Sequence, residues 1–120
     1  MITGAHAIIY SGNADADRAF LRDTLGFKSV DAGGGWLIFA LPGAELAAHG
    51  TDGQPRHELW LMCDDIRATI AELQAKGAEF REGVTEERWG LTTAIKLPGG
   101  GELGLYEPRH ASPLTGKDPR

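Results

Sequence analysis

A chain of 120 residues is long enough for one compact domain with a real core and too short for two independent ones. Its 42% hydrophobic content is that of a globular protein. Seventeen acidic against twelve basic residues give a formal net charge of -5 without a basic cluster, so nucleic acid is not an expected partner. The sequence has no charged-then-apolar leader and no apolar run near the roughly 18 residues a membrane span needs, so no membrane partner is expected and the cytoplasm is the expected compartment. Cys63 is the single cysteine; no intrachain disulfide can form, and its place on a core-like strand face predicts a structural thiol.

Residues 4–10 alternate as a first strand with His6, Ile8 and Tyr10 on one face. Asn13 is placed to cap a helix, Asp15 and Asp17 suit its positive end, Phe20, Leu21 and Leu25 form its apolar stripe, and Gly26 closes it. Residues 27–31 and 36–41, joined by Gly33-Gly34-Gly35, predict a hairpin. A fourth short strand, 45–49, puts Glu45, Ala47 and His49 on one side. Residues 50–56 are polar and rich in breakers, a connecting loop.

The second half repeats this order. Strand 57–63 sets Glu58, Trp60 and Met62 on one face and Leu59, Leu61 and Cys63 on the other, then runs into a helix from Asp64 or Asp65 with Ile66, Ile70 and Leu73 at helical spacing. Gly77 ends that helix and Phe80 opens a strand. Residues 82–90 read as a charged loop carrying Trp89, 91–97 and 102–107 as further strands, and the residues from Arg109 as a loosely held tail with His110, like His57, in solvent. Each half is therefore a strand, a helix and about three strands. The predicted fold class is α+β, a single domain over 1–110 built of modules 4–49 and 57–108, with 111–120 loosely ordered.

This βαβββ order, with Phe20-Leu-Arg-Asp-Thr-Leu-Gly-Phe27, Cys63-Asp-Asp-Ile66, Lys76-Gly-Ala-Glu-Phe80, Trp89-Gly90 and Leu97-Pro-Gly-Gly-Gly-Glu-Leu103, resembles the vicinal oxygen chelate superfamily of glyoxalases, extradiol dioxygenases, fosfomycin resistance enzymes and bleomycin-binding proteins. The resemblance covers about residues 4–108. It implies two modules whose curved mixed sheets enclose a cavity, and in catalytic members a divalent metal held by one residue from the first and fourth strands of each module. Carried over position by position, those ligands fall on His6, on one of Glu45, Ala47 or His49, on Glu58, and on Gly104, which has no side chain to give.

The leading expectation is therefore a metal-independent protein that binds a small aromatic or cationic molecule in a pocket of His6, Glu45, His49, Glu58, Trp60, Trp89 and Tyr106. Trp89 could cover such a pocket as a lid or plug the gap between helix and sheet, and Trp36 could be either wall or core. The alternative is a lyase, isomerase or dioxygenase in which His6, Glu58 and His49 hold zinc, iron, nickel or manganese. A third reading makes Glu58, the best catalytic candidate, or Glu45 an acid-base group without metal, its pKa raised by an aromatic, desolvated setting. The resemblance also implies a homodimer, and the breaker-rich 50–56 loop permits the modules to pair within one chain or between two.

Overall fold

The computed structural model describes residues 6–41, 43–45, 47, 49–54, 56–111 and 113. Helix α1 (Ala14–Ala19) opens where Asn13 accepts from the Ala16 N–H, as its short polar side chain favours, and continues into a π-helical turn at Phe20–Thr24. Strands β1 (Ser29–Asp31) and β2 (Leu37–Phe39) form an antiparallel hairpin in which Val30 pairs with Ile38. Its turn is held by Asp31, whose carboxylate accepts from the Gly33 and Gly35 N–H groups. Then follow β3 (Trp60–Met62), α2 (Ile66–Ala75), β4 (Glu79–Phe80), β5 (Thr85–Glu87), β6 (Gly90–Lys96) and β7 (Glu102–Pro108).

These last strands make one unclosed, mixed sheet in the order β3-β7-β6-β4, with β5 also paired to β6. The edge strand β3 runs parallel to β7, with Trp60 opposite Gly104 and Met62 opposite Tyr106. Helix α2 covers one face. Asp65 caps its first turn through the Ala68 N–H, and the Ile66 N–H donates to Glu107 of β7, so two donors that a helix start leaves open are satisfied. Ile66 and Leu73 then meet Ile95, Leu97, Leu103 and Leu105 in the buried core, as the predicted helical spacing requires. Leu59, Leu61 and Cys63 pack against that core while Met62 stays exposed, which is the alternation expected of the strand.

Among the described residues, the first half leans on this core rather than forming another. Ile9, Phe20, Leu21 and Leu25 pack against it, and Asp17, 4% exposed, accepts from the Gly99 N–H at 2.7 Å. Gly12 N–H donates to the Gly99 carbonyl beside it.

Three expectations change. Described residues 6–10 carry no strand, and neither do the described residues between 43 and 49; positions 4, 5, 46 and 48 lie outside the described residues. The described residues of these segments make no paired backbone ladder, which an alternating pattern alone cannot supply. The stretch 82–90 is not wholly a loop, because Thr85–Glu87 folds back on β6 with Glu87 opposite Gly90. The chain after β7 is not loose at its start: Arg109 N–H donates to the Trp89 carbonyl at 2.8 Å. Most of the remaining tail, 112 and 114–120, lies outside the described residues.

Candidate functional site

On the sheet face away from α2, three aromatic rings meet. Trp60, Trp89 and Tyr106 lie edge-to-face in all three pairings, with ring centroids 5.4 Å (Trp60–Trp89), 6.0 Å (Trp60–Tyr106) and 5.2 Å (Trp89–Tyr106) apart. Such contacts set the positive edge of one ring against the negative face of the next. The backbone dictates the meeting. Trp60 and Tyr106 project from β3 and β7 on the same face, and Trp89 is brought to them because Gly90 permits a close approach of β6 to β7. A Cβ at Gly90 would stand 2.4 Å from the Glu107 carbonyl oxygen.

Gly104 explains the cluster's floor. A Cβ there would lie 2.4 to 2.8 Å from three atoms of the Trp60 indole, so the tryptophan ring rests on the bare backbone of its strand partner. Where the resemblance implies a ligating carboxylate, the space is occupied by an aromatic plane.

Acidic groups stand at two edges of the cluster. The Trp60 indole N–H donates to Glu58 Oε2 at 3.1 Å, and Arg56 reaches Glu58 Oε1 at 3.3 Å. The indole hydrogen bond, then Arg56 and, more weakly, His49, hold the Glu58 carboxyl below its usual range. This reverses the expectation of a desolvated, raised Glu58: the side chain, just before the edge strand β3, is 54% exposed and its ionised form is stabilised. Glu58 is thus an anionic group at the rim of the cluster.

On the other side Glu45, its side chain 16% exposed, accepts from the Tyr106 hydroxyl at 3.2 Å. His110 joins them. Its ring stacks on Tyr106 at 5.9 Å and 29°, its Nε2 lies 3.2 Å from the phenol oxygen and 3.8 Å from Glu45 Oε1, and its Nδ1 faces the Ala111 carbonyl at 2.8 Å. The phenol has one proton and two neighbours within hydrogen-bond distance of it, Glu45 and His110. Burial first, and the Glu45 charge second, push the Tyr106 hydroxyl up to about 12, which keeps it a donor. The expectation of a solvated His110 is therefore corrected. Nothing in its sequence position signalled this, because the turn that returns it to Tyr106 follows from Pro108 and the Arg109–Trp89 hydrogen bond. Arg56, two residues before Glu58, was read only as part of the connecting loop.

Of the pocket residues expected from sequence, Glu45, Glu58, Trp60, Trp89 and Tyr106 come together. His49 lies near enough to Glu58 for its charge to be felt, and His6 is exposed with no hydrogen bond or ion pair to the described residues. Among the described residues no three His, Cys, Asp or Glu side chains group so as to hold a metal ion, so His6, His49 and Glu58 do not converge. The donor set does not fit a divalent metal here: one position is glycine under an indole, and Glu58 is already engaged. Trp36 stands apart, 65% exposed, with the Arg18 guanidinium 5.0 Å from its ring. Cys63 is half-buried, donates to the Tyr106 carbonyl at 3.5 Å, and is pushed by burial up to about 11, as a structural thiol would be.

The fold and this sequence place the chain in a known class: it belongs to the Glyoxalase/Bleomycin resistance protein/Dioxygenase superfamily, whose profile matches residues 4–108. Among solved structures it is similar to TnmS3, an antibiotic binding protein from Streptomyces sp. CB03234, at 26% identity and a TM-score of 0.58, over 87% of this chain and 99% of that one. A glyoxalase/bleomycin resistance protein from the same Streptomyces is also 26% identical, with a TM-score of 0.54 over 80% of this chain and 92% of the other. Lactoylglutathione lyase from Agrobacterium tumefaciens, 18% identical with a TM-score of 0.57 over 88% of this chain and 92% of that one, shares the fold. No curated protein is similar enough to match. Among the described residues no helix is long and apolar enough to cross a membrane.

Proposed function

We propose that this protein is a cytoplasmic, metal-independent binder of a small aromatic molecule that carries positive charge. Its ligand stacks on the Trp60, Trp89 and Tyr106 cluster between the carboxylates of Glu45 and Glu58, with His49 toward the rim. The observation that carries this reading is the indole of Trp60 lying over Gly104, which puts a ring where metal-dependent relatives need a carboxylate. Aromatic faces attract cations through their quadrupole, and two flanking carboxylates in a chain of net charge -5 add to that attraction. The antibiotic-binding relative, covered over nearly its whole length, supports small-molecule capture over the lyase, isomerase or dioxygenase alternative.

The first half leaves Ile8, Tyr10, Val30, Trp36, Ile38 and Leu41 exposed. A homodimer in which a second copy covers this surface is part of the proposal.

The test uses the tryptophans themselves. Titration of a cationic planar dye such as ethidium is expected to quench tryptophan emission saturably, with Trp60→Phe and Trp89→Phe each weakening binding about tenfold, on the order of one stacked ring. Adding EDTA should change nothing. Quenching that survives both substitutions, or that requires a divalent metal, would sink the reading.

A further inference from the structure

The opposite face of the sheet carries a second feature. Along β6 the side chains alternate, so Thr92, opposite Tyr106, shares the aromatic face, while Thr93, opposite Leu105, points to the side covered by α2. There, between α2 and the turn joining β4 to β5, lies an open cavity of about 440 Å³. Its floor is apolar, formed by Ile70, Phe80 and Val84, all only partly exposed.

Its rim is cationic. Arg67 and Arg81 both line it from opposite walls, and neither guanidinium has an ion pair or hydrogen bond to the described residues. Glu82 also lies at the rim, which leaves one positive charge in excess in a chain that is acidic overall.

The wall bearing Arg81 is fixed in place. Fully buried Thr93 donates its hydroxyl to the Arg81 carbonyl at 3.4 Å and the Gly83 carbonyl at 3.2 Å, and the Arg81 N–H donates to the Ala94 carbonyl at 2.8 Å. The wall bearing Arg67 is equally set, since Arg67, Ile70 and Gln74 follow one another on a single face of α2, whose buried side is pinned in the core. Two rigid walls with unpaired guanidiniums over an apolar floor match a ligand with an anionic head and an apolar body. A guanidinium meets a carboxylate through paired N–H donors at less desolvation cost than an ammonium would.

We propose that this groove is a second binding site, independent of the aromatic cluster, for small organic carboxylates with an apolar or aryl tail. A carboxylate would sit between Arg67 and Arg81 while its tail covers Phe80, Ile70 and Val84.

The experiment is a titration of 4-phenylbutyrate into the isotopically labelled protein, followed by amide chemical shifts, with the neutral 4-phenylbutanamide as control. Shifts are expected at residues 67–74 and 80–84, at least about tenfold weaker binding in R67A/R81A, and little response to the amide. Both arginines are exposed, so the double variant should fold, which its unperturbed core resonances would verify. The proposal is overturned by no saturable shift, by shifts confined to Trp60, Trp89 and Tyr106, by equal binding of the amide, or by undiminished binding in the double variant. Ethidium binding at the aromatic cluster reports separately on that site, so either reading can fail alone.

Discussion

The two halves of this chain read alike in sequence and fold unequally. All nine buried hydrophobic residues among those described, from Ile66 to Tyr106, belong to the second half, whereas six of the eight large hydrophobics left exposed, Ile8, Tyr10, Val30, Trp36, Ile38 and Leu41, belong to the first. The second half has a helix across a five-stranded sheet and so two layers to close a core. The first half has a two-stranded hairpin, and one hairpin cannot bury both sides of itself. A repeated pattern thus specifies which faces are apolar without specifying what covers them.

The sharpest way to break this contrast is to remove one isoleucine from each half. Ile95→Ala, at a fully buried position, is expected to cost about 2 to 5 kcal/mol in urea unfolding, while Ile38→Ala in dilute protein should cost less than about 0.5 kcal/mol. If a second copy covers the first half, the Ile38→Ala cost must grow with protein concentration. A flat, small cost over a hundredfold range in concentration would refute a dimer through that face.

Gly104→Ala sharpens the comparison within the second half. The added methyl has no room beside the Trp60 indole, so a loss of about 1 to 3 kcal/mol is expected, together with a changed tryptophan emission as the ring moves off the strand. Unchanged stability and emission would mean that Trp60 does not rest on Gly104 in solution.

The last effect, a dependence on pH, concerns Tyr106. Its hydroxyl ionises near 12 in the folded protein against about 10 in an unfolded chain, so the folded state holds the proton longer. The resulting stability is fully present below about pH 10 and is lost as pH rises toward 12, by on the order of 2 kcal/mol. Tyr106→Phe should lack this alkaline loss in denaturant titrations at pH 9 to 11, and an identical slope in both proteins would place the effect elsewhere.

Much of the second half was legible before any coordinates. Asp65, Ile66, Ile70, Leu73 and Gly77 mark a capped amphipathic helix and its stop, and Leu59, Leu61 and Cys63 alternate with Glu58, Trp60 and Met62, because these signals depend on residues a few positions apart. Asn13 and the Gly33–Gly35 turn were readable for the same reason. The described residues 6–10 and 45, 47 and 49 misled, since a strand exists only where a partner completes its hydrogen bonds, and alternation names no partner.

The sequence by itself therefore determined the class of fold, the acidic balance of the chain, the faces that alternate, and the glycine at position 104. Only the tertiary structure decided what occupies the space that glycine leaves, that Trp89 and Tyr106 close around it, that His110 stacks on Tyr106 beside Glu45, and that Glu58 is a solvated anion held by Trp60 and Arg56. The division has a physical cause. Local propensity acts through neighbours along the chain, whereas the contacts among Trp60, Trp89 and Tyr106 and the hydrogen bond from Tyr106 to Glu45 join residues that only the fold brings together.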